Sequence, residues 1–84
     1  RHLADNNNRL KWKTIPEQQM TAVVVGNKIR ENKLYVTFSF EDGAEKRVRV
    51  PDEAYVALAY GDSGVLTFKE RKEEAVFIAF EYVG

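Results

Sequence analysis

The sequence predicts a small all-β domain with one short helix, folded as a five-stranded barrel. Five segments rich in β-branched and aromatic residues are separated by turn residues, which is the pattern of consecutive short strands. One helical pattern interrupts them, between the third and the fourth segment. With 84 residues, 44% of them hydrophobic, the chain has the length and apolar content of one folded domain. This order of elements favours an oligonucleotide/oligosaccharide-binding (OB) barrel, with an SH3-like barrel as the alternative.

The first two strands are predicted over residues 20–30 and 33–40, with a turn at Glu31 and Asn32 between them. Within the first strand, Gly26 indicates a bulge or a close approach of a neighbouring backbone. The second strand alternates apolar and polar side chains, so one face is predicted to lie in the core. Its inward residues are Leu34, Val36, Phe38 and Phe40, and its outward residues are Lys33, Tyr35, Thr37 and Ser39.

The third strand is predicted over residues 45–50, after a hairpin turn at residues 41–43 that contains an Asp-Gly pair. Arg47 and Arg49 point outward from it. A helix is predicted over residues 52–60, with Asp52 as its N-cap and Gly61 just beyond its end. The helical face predicted to close one end of the barrel consists of Tyr55, Leu58 and Ala59.

The last two strands are predicted over residues 65–69 and 75–83. A turn at residues 62–64 precedes the first of them, and a charged turn over residues 70–74 separates the two. The final strand is apolar on both faces, which is typical of a central or covered strand. We therefore expect Phe80 to be buried, so that Phe80→Asp prevents folding.

The chain divides into a polar, basic leader over residues 1–19 and a barrel domain over residues 20–84. The formal net charge is zero, with 13 basic and 13 acidic side chains. Residues 1–13 nevertheless carry a net charge of +3, and residues 14–84 carry −3. A neutral chain with an acidic domain is unlike a dedicated nucleic-acid binder, which is usually strongly basic.

The residue types argue against an enzyme. The absence of cysteine excludes thiolate nucleophiles and cysteine-ligated zinc, and the single histidine, His2, excludes sites that need two imidazoles. Most acidic residues fall in predicted turns, where water solvates them, so no carboxylate pair is indicated. We expect no catalytic residues, no metal site and no cofactor.

Two groups of residues are candidates for binding. The outward faces of the second and third strands carry Tyr35, Thr37, Arg47 and Arg49, the residue types that hold single-stranded nucleic acid by stacking and charge. A purely structural interpretation is favoured, in which these residues form polar cross-strand pairs on a solvated face. The reasons are that the domain is acidic and that only one aromatic residue is clearly on that face. Nucleic acid is therefore an improbable partner by sequence.

The second candidate group lies in the leader and consists of Arg9, Lys11, Trp12 and Lys13. Tryptophan favours the headgroup layer of a bilayer, and basic side chains are attracted to anionic lipid. These residues predict a membrane-interface segment. The alternative is that Leu10 and Trp12 pack on the barrel as an additional edge strand.

One set of residues has a spacing that matches a known bacterial family, namely Ala22, Val24, Val25, Lys28, Tyr35 to Phe38, Gly43, Val50, Tyr55, Leu58, Gly61 to Gly64, Leu66 to Phe68, Phe77, Phe80 and Glu81, with Asn6 to Asn8 and Pro16 upstream. On these residues the chain resembles the domain-of-unknown-function 2500 family. The resemblance implies an N-terminal transmembrane helix ahead of the domain, which would make residues 1–13 juxtamembrane. Basic residues beside a span favour the cytoplasmic side, so the resemblance implies a cytoplasmic-facing domain. The family has no assigned activity.

Two functions follow as expectations. The first is a non-enzymatic interaction module for an unknown protein partner, tethered to the membrane in the full-length protein and either monomeric or weakly dimeric. The second is an OB-like binder of single-stranded nucleic acid or another polyanion, acting through Tyr35, Arg47 and Arg49.

Overall fold

A computed structural model describes residues 2–4, 15–71 and 74–83 of the chain, with residues 2–4 described by their backbone alone. The described residues form six strands and one helix. In chain order these are β1 (His2–Ala4), β2 (Gln18–Arg30), β3 (Lys33–Phe40), β4 (Glu45–Arg49), α1 (Asp52–Ala57), β5 (Ser63–Arg71) and β6 (Glu74–Tyr82).

Strands β2 to β6 form a closed barrel. Around the barrel, β2 pairs with β3, β3 with β4, β4 with β6, β6 with β5, and β5 again with β2. The β4–β6 pairing is parallel and the other pairings are antiparallel. Helix α1 lies between the third and fourth barrel strands in sequence. The predicted fold class, a five-stranded barrel with one short helix, is confirmed.

The barrel interior is filled by apolar side chains, which include the inward residues predicted on β3. Four phenylalanines and a leucine are among its fully buried side chains, Phe38, Phe68, Phe77, Phe80 and Leu66. Aromatic packing links opposite walls: the ring centroids of Phe38 and Phe80 lie 5.8 Å apart, and Phe40 stacks on Phe68 at 6.0 Å. Such rings supply most of the apolar area that stabilises a core of this size.

Two bulges adjust which residues reach that core. In β2 the pairing skips Val25, immediately before Gly26, so the predicted bulge is confirmed. In β6 the pairing with β5 skips Ile78. A regular strand would place Phe77 and Phe80 on opposite faces, and the extra residue brings both into the same core.

Helix α1 is shorter than predicted. It ends at Ala57, its N-cap is Pro51 rather than Asp52, and Ala59 is exposed rather than buried. The reason lies beyond the helix, where the chain is held against β2: the Gly61 amide donates to the Val24 carbonyl at 2.8 Å. The following loop is closed by Asp62, whose carboxylate accepts a hydrogen bond from the Ala59 amide at 2.9 Å.

Other strand boundaries also differ from the predictions. Strand β2 begins at Gln18 rather than at residue 20, so Gln18 and Gln19, predicted in the leader, pair with β5. Strand β4 ends one residue early, and β6 is shifted by one residue toward the N-terminus. Ser63 and Gly64 belong to β5 rather than to a turn, and β5 extends through Glu70 to Arg71, which narrows the predicted charged turn. Strand β1 was not predicted at all. Its backbone pairs antiparallel with β6, on the same edge that β4 uses further along the strand.

The outer face of β5 and β6 is buried as well as the inner face. Residues that lie outside the core cluster are nonetheless only 0–5% exposed, namely Thr67, Lys69, Val76, Ile78 and Ala79. The prediction that the last strand is central or covered is therefore confirmed. This wall of the barrel presents little surface to a ligand.

Candidate functional site: the outer face of β3 and β4

The four predicted binding residues lie together on adjacent strands. Tyr35 is paired with Arg49 across β3 and β4, and Thr37 is paired with Arg47. Directly opposed residues of an antiparallel pair project on the same side of the sheet, here the outer side. The sequence therefore identified neighbouring side chains, because strict alternation fixes which residues of a strand share a face.

Arg47 and Tyr35 are diagonal neighbours in this arrangement and contact each other. The guanidinium carbon of Arg47 lies 5.8 Å from the centroid of the Tyr35 ring. A cation at this distance is attracted to the ring face, and the contact restricts both side chains. The guanidinium keeps its N–H donors at its edge, where a planar anion can meet them.

A groove lies over this face, with a volume of about 770 Å³. Tyr35 and Ala75 line it together with nine charged residues. The basic ones are Arg30, Lys33, Lys46, Arg47 and Arg71, and the acidic ones are Glu31, Glu45, Glu70 and Glu74. We call this the β3–β4 groove. Of the predicted residues, Tyr35 and Arg47 line the groove, and Thr37 and Arg49 lie outside its lining.

Two ion pairs cross one side of the groove. Lys46 on β4 is bound to Glu70 near the end of β5, and Arg49 donates to Glu74 at the start of β6 over 3.4 Å. These side chains are about a third to two fifths exposed (31–43%), so water screens the attraction and each pair stabilises the fold only slightly. Their main consequence is that two cations beside the groove already have carboxylate partners.

The opposite side of the groove has a different electrostatic character. Arg30 and Lys33 face each other across the β2–β3 turn, and neither they nor Arg47 form an ion pair with a residue that the structure describes. The turn itself consists of Glu31 and Asn32, both in the left-handed region with φ of 52° and 64°. Left-handed backbone at a non-glycine residue such as Glu31 is uncommon. Arg30, Lys33 and Arg47 thus line the groove together with Tyr35, and of these three cations Arg47 contacts its ring.

Sequence reasoning missed Arg30, Lys33, Glu70 and Glu74. The first two flank the turn of the β2–β3 hairpin, and the two glutamates come from β5 and β6, far along the chain. A signal was present for the glutamates: in an OB-like order the last strand lies beside the third, which brings the residues at its start next to Arg49. Which charged residues of the third and last strands meet depends on the register of the two strands, and the sequence pattern does not determine that register.

Several expectations fall on other parts of the chain. The proposed membrane-interface residues Arg9, Lys11, Trp12 and Lys13 lie outside the described residues. In the described part of the chain, no helix combines the length and the apolar character that crossing a bilayer requires. In the same residues, no cluster of three or more histidine, cysteine or acidic side chains is arranged to hold a metal ion.

No family model matches the chain, and no curated protein or solved structure is significantly similar to it. The resemblance to the domain-of-unknown-function 2500 family therefore stays a prediction from the matching residues alone.

Proposed function

We propose that this domain is a non-enzymatic interaction module that binds a peptide segment of a partner protein in the β3–β4 groove. The observation that carries the proposal is the position of the groove. It lies over the outer face of the second and third barrel strands, between the β2–β3 turn and the paired ends of β5 and β6. OB-like barrels bind their ligands on this face and between these two connections.

The lining supports a peptide as the ligand. Five basic and four acidic side chains surround the groove, so its charge alternates over short distances. A peptide can match such a pattern residue by residue, since it can carry both signs of charge as well as backbone donors and acceptors. Nucleic-acid backbone carries negative charge at every nucleotide and meets repulsion at each glutamate.

The membrane tether belongs to the proposal and is supported by the family resemblance and the basic leader. We expect the full-length protein to sediment with membranes and to be released by detergent but not by high salt. The domain would then face the cytoplasm, which is testable by protease protection in intact cells and in lysed cells. Full-length protein in the soluble fraction would contradict the tether and leave the groove assignment unaffected.

The peptide-binding part is tested with a displayed library of random peptides of about twelve residues. In extended form such a peptide reaches about 40 Å, which exceeds the 30 Å longest dimension of the domain and so covers any groove on it. The library is selected against the wild-type domain and counter-selected against Tyr35→Ser/Arg47→Ser. Enriched peptides are then titrated into ¹⁵N-labelled domain. We expect the amide signals of Lys33, Tyr35 and Arg47 to shift progressively.

The matched control is Lys28→Gln, because Lys28 is paired with Tyr35 on β2 but does not line the groove. It removes a positive charge from the adjacent outer face while leaving the groove intact. Selected peptides should bind this variant with nearly unchanged Kd. A failure to enrich any peptide, or shifts confined to α1 and the β5 start, would contradict the proposal.

The second candidate function is binding of single-stranded nucleic acid, and one observation favours it. Arg47 over Tyr35 combines a stacking surface with a cation, as in single-strand binders. If this candidate is correct, a labelled oligothymidylate of about ten nucleotides binds at low salt, and log Kd rises linearly with log salt concentration. Absence of binding at about 20 mM salt would eliminate it.

A further inference from the structure

The basic side chains around the β3–β4 groove differ in whether they already form an ion pair with a carboxylate. Beside β5 and β6, Lys46 and Arg49 are held by Glu70 and Glu74. Beside the β2–β3 turn, Arg30, Lys33 and Arg47 have no ion-pair partner among the described residues. Arg71 at the end of β5 also lines the groove and has no ion-pair partner among the described residues. The protein's own carboxylates therefore hold Lys46 and Arg49, whereas the cations around Tyr35 remain open to a ligand.

The two ion pairs beside β5 and β6 show that basic side chains of this region bind carboxylates. The contacts of Arg49 with Glu74 and of Lys46 with Glu70 are carboxylate contacts made across strands, without any connection close in sequence. A carboxylate on an extended peptide can approach Arg47 in the same way, because guanidinium and carboxylate groups match in plane and spacing. The stacking on Tyr35 holds that guanidinium in place before the ligand arrives, which reduces the entropy lost on binding.

We propose that the peptide bound by this groove is acidic, with its carboxylates held by Arg47 and by Arg30 and Lys33 near Tyr35, and that Glu70 and Glu74 exclude nucleic acid. This inference rests on the proposed function and specifies the ligand class for the same site. The glutamates act as specificity determinants: Glu70 neutralises Lys46 in the groove lining, and Glu74 neutralises Arg49 beside it. A ligand with spaced carboxylates needs only the open cations, whereas a polyphosphate needs more positive charge than they supply.

The groove lining distinguishes these ligands further. Glu31 and Glu45 lie in the same groove as the open cations. A peptide can place uncharged or basic residues opposite them, since its carboxylates need not be consecutive. Oligonucleotide phosphates recur at every residue of the strand and meet both glutamates as well as Glu70 and Glu74. Discrimination against the wrong ligand by like charge is a common device in selective interfaces.

The experiment compares three probes by NMR titration of ¹⁵N-labelled domain. They are a peptide of about twelve residues with alternating glutamate and serine, the same peptide with glutamine in place of glutamate, and oligothymidylate of about the same length. The wild-type domain should bind the glutamate peptide at least about tenfold more tightly than either of the others. Arg47→Ala should weaken that binding about tenfold, and Lys28→Gln should change it less than about twofold.

The double variant Glu70→Gln/Glu74→Gln tests the exclusion of nucleic acid. Freed of their partners, Lys46 and Arg49 join the open cations, so oligothymidylate binding should strengthen at least about tenfold. The charge-matched control is Glu41→Gln/Glu81→Gln, which removes two exposed carboxylates away from the groove. It should strengthen oligothymidylate binding far less than the groove variant does.

The outcomes separate this inference from the proposed function. Equal binding of the glutamate and glutamine peptides in the groove overturns the acidic ligand and leaves the interaction module standing. Tighter binding of oligothymidylate than of the glutamate peptide by the wild type overturns the inference in favour of the second candidate function. An equal gain in the two glutamate double variants overturns the role of Glu70 and Glu74. Shifts from every probe outside the groove contradict both proposals.

Discussion

The two halves of the barrel wall use their outer faces in opposite ways. On β5 and β6 the outer residues are buried, including Val76 at 3% exposure and Lys69 at 2%. On β3 and β4 the outer residues are polar and lie along a groove, although the inner faces of both halves contribute to one core. The strands are neighbours through the parallel β4–β6 pairing, so the change of character occurs across a single seam.

This difference separates stability from binding within a small domain. On a strand that is buried on both faces, a newly introduced charge without a partner is costly, because neither face has water to solvate it. Substitutions of residues on the solvated face of a strand usually have little effect on the free energy of unfolding. We therefore expect substitutions on β5 and β6 to act on the free energy of unfolding, and substitutions on the outer face of β3 and β4 to act on ligand affinity.

The largest expected effect is that of Phe80→Asp. Phe80 is fully buried and packs against Phe38 at 5.8 Å and edge-on against Tyr82 at 5.0 Å. The substitution leaves a cavity and buries an unpaired carboxylate, at a combined cost of more than about 5 kcal/mol, which is comparable to the whole stability of a domain of this length. Circular dichroism should show no cooperative thermal transition.

The control for that variant is Phe80→Leu, which keeps the site apolar and should melt cooperatively at a lower temperature. A soluble Phe80→Asp variant with a cooperative transition near that of the wild type would contradict the placement of this ring. It would also remove the distinction between the two halves, since β6 would then tolerate charge.

The next effect compares two isoleucines of very different exposure. Ile78 is the extra residue of the β6 bulge and is fully buried, whereas Ile29 near the end of β2 is 61% exposed. Ile78→Ala should lower the free energy of unfolding by about 3 kcal/mol, and Ile29→Ala by less than about 0.5 kcal/mol. Urea denaturation followed by fluorescence measures both. Equal losses in the two variants would mean that the outer face of β6 is not buried.

A smaller effect is expected at the contact between the backbones of β5 and β6. A Cβ atom on Gly64 would lie 2.1 Å from the Glu81 carbonyl oxygen, and backbone atoms on both strands would have to separate. We expect Gly64→Ala to destabilise the domain by about 2 kcal/mol, within the range for overpacked sites. The matched control is Gly26→Ala, because the nearest atom there is the Thr37 Cβ at an ordinary 4.0 Å. A stable Gly64→Ala variant would show that this seam can open.

The barrel could be predicted from the sequence because the patterns that indicate each strand lie within the strand itself. Strict alternation over residues 33–40 gave the inner and outer faces of β3, and the uninterrupted apolar run of the last strand indicated burial on both sides. The predicted end of the helix was wrong because the residues of the helix do not decide it. A tertiary hydrogen bond from the Gly61 amide to the Val24 carbonyl does. Strand β1 was missed because three residues carry too little pattern to predict a strand.

The residues of the candidate site also differ in whether local sequence patterns could place them. Tyr35, Thr37, Arg47 and Arg49 could be placed together from two neighbouring strands and one hairpin, which is short-range information. Glu70 and Glu74 could not, because their contact with β4 requires the barrel to close and the parallel register of β6 to be known. Residues that reach a site through long-range closure are the ones that alternation alone cannot locate.

A small effect on stability is expected at these two glutamates, and it completes the comparison. In Glu70→Gln/Glu74→Gln both ion pairs with Lys46 and Arg49 are lost, but all four side chains are partly solvated and keep water as a partner. The free energy of unfolding should fall by less than about 1 kcal/mol at low salt, and by less still at about 1 M salt, where charges are screened. Urea denaturation at the two salt concentrations measures this difference, with Glu41→Gln/Glu81→Gln as the charge-matched control. A loss as large as that of Ile78→Ala would mean that the ion pairs hold the barrel closed, and the β4–β6 seam would then belong to the stabilising half of the wall.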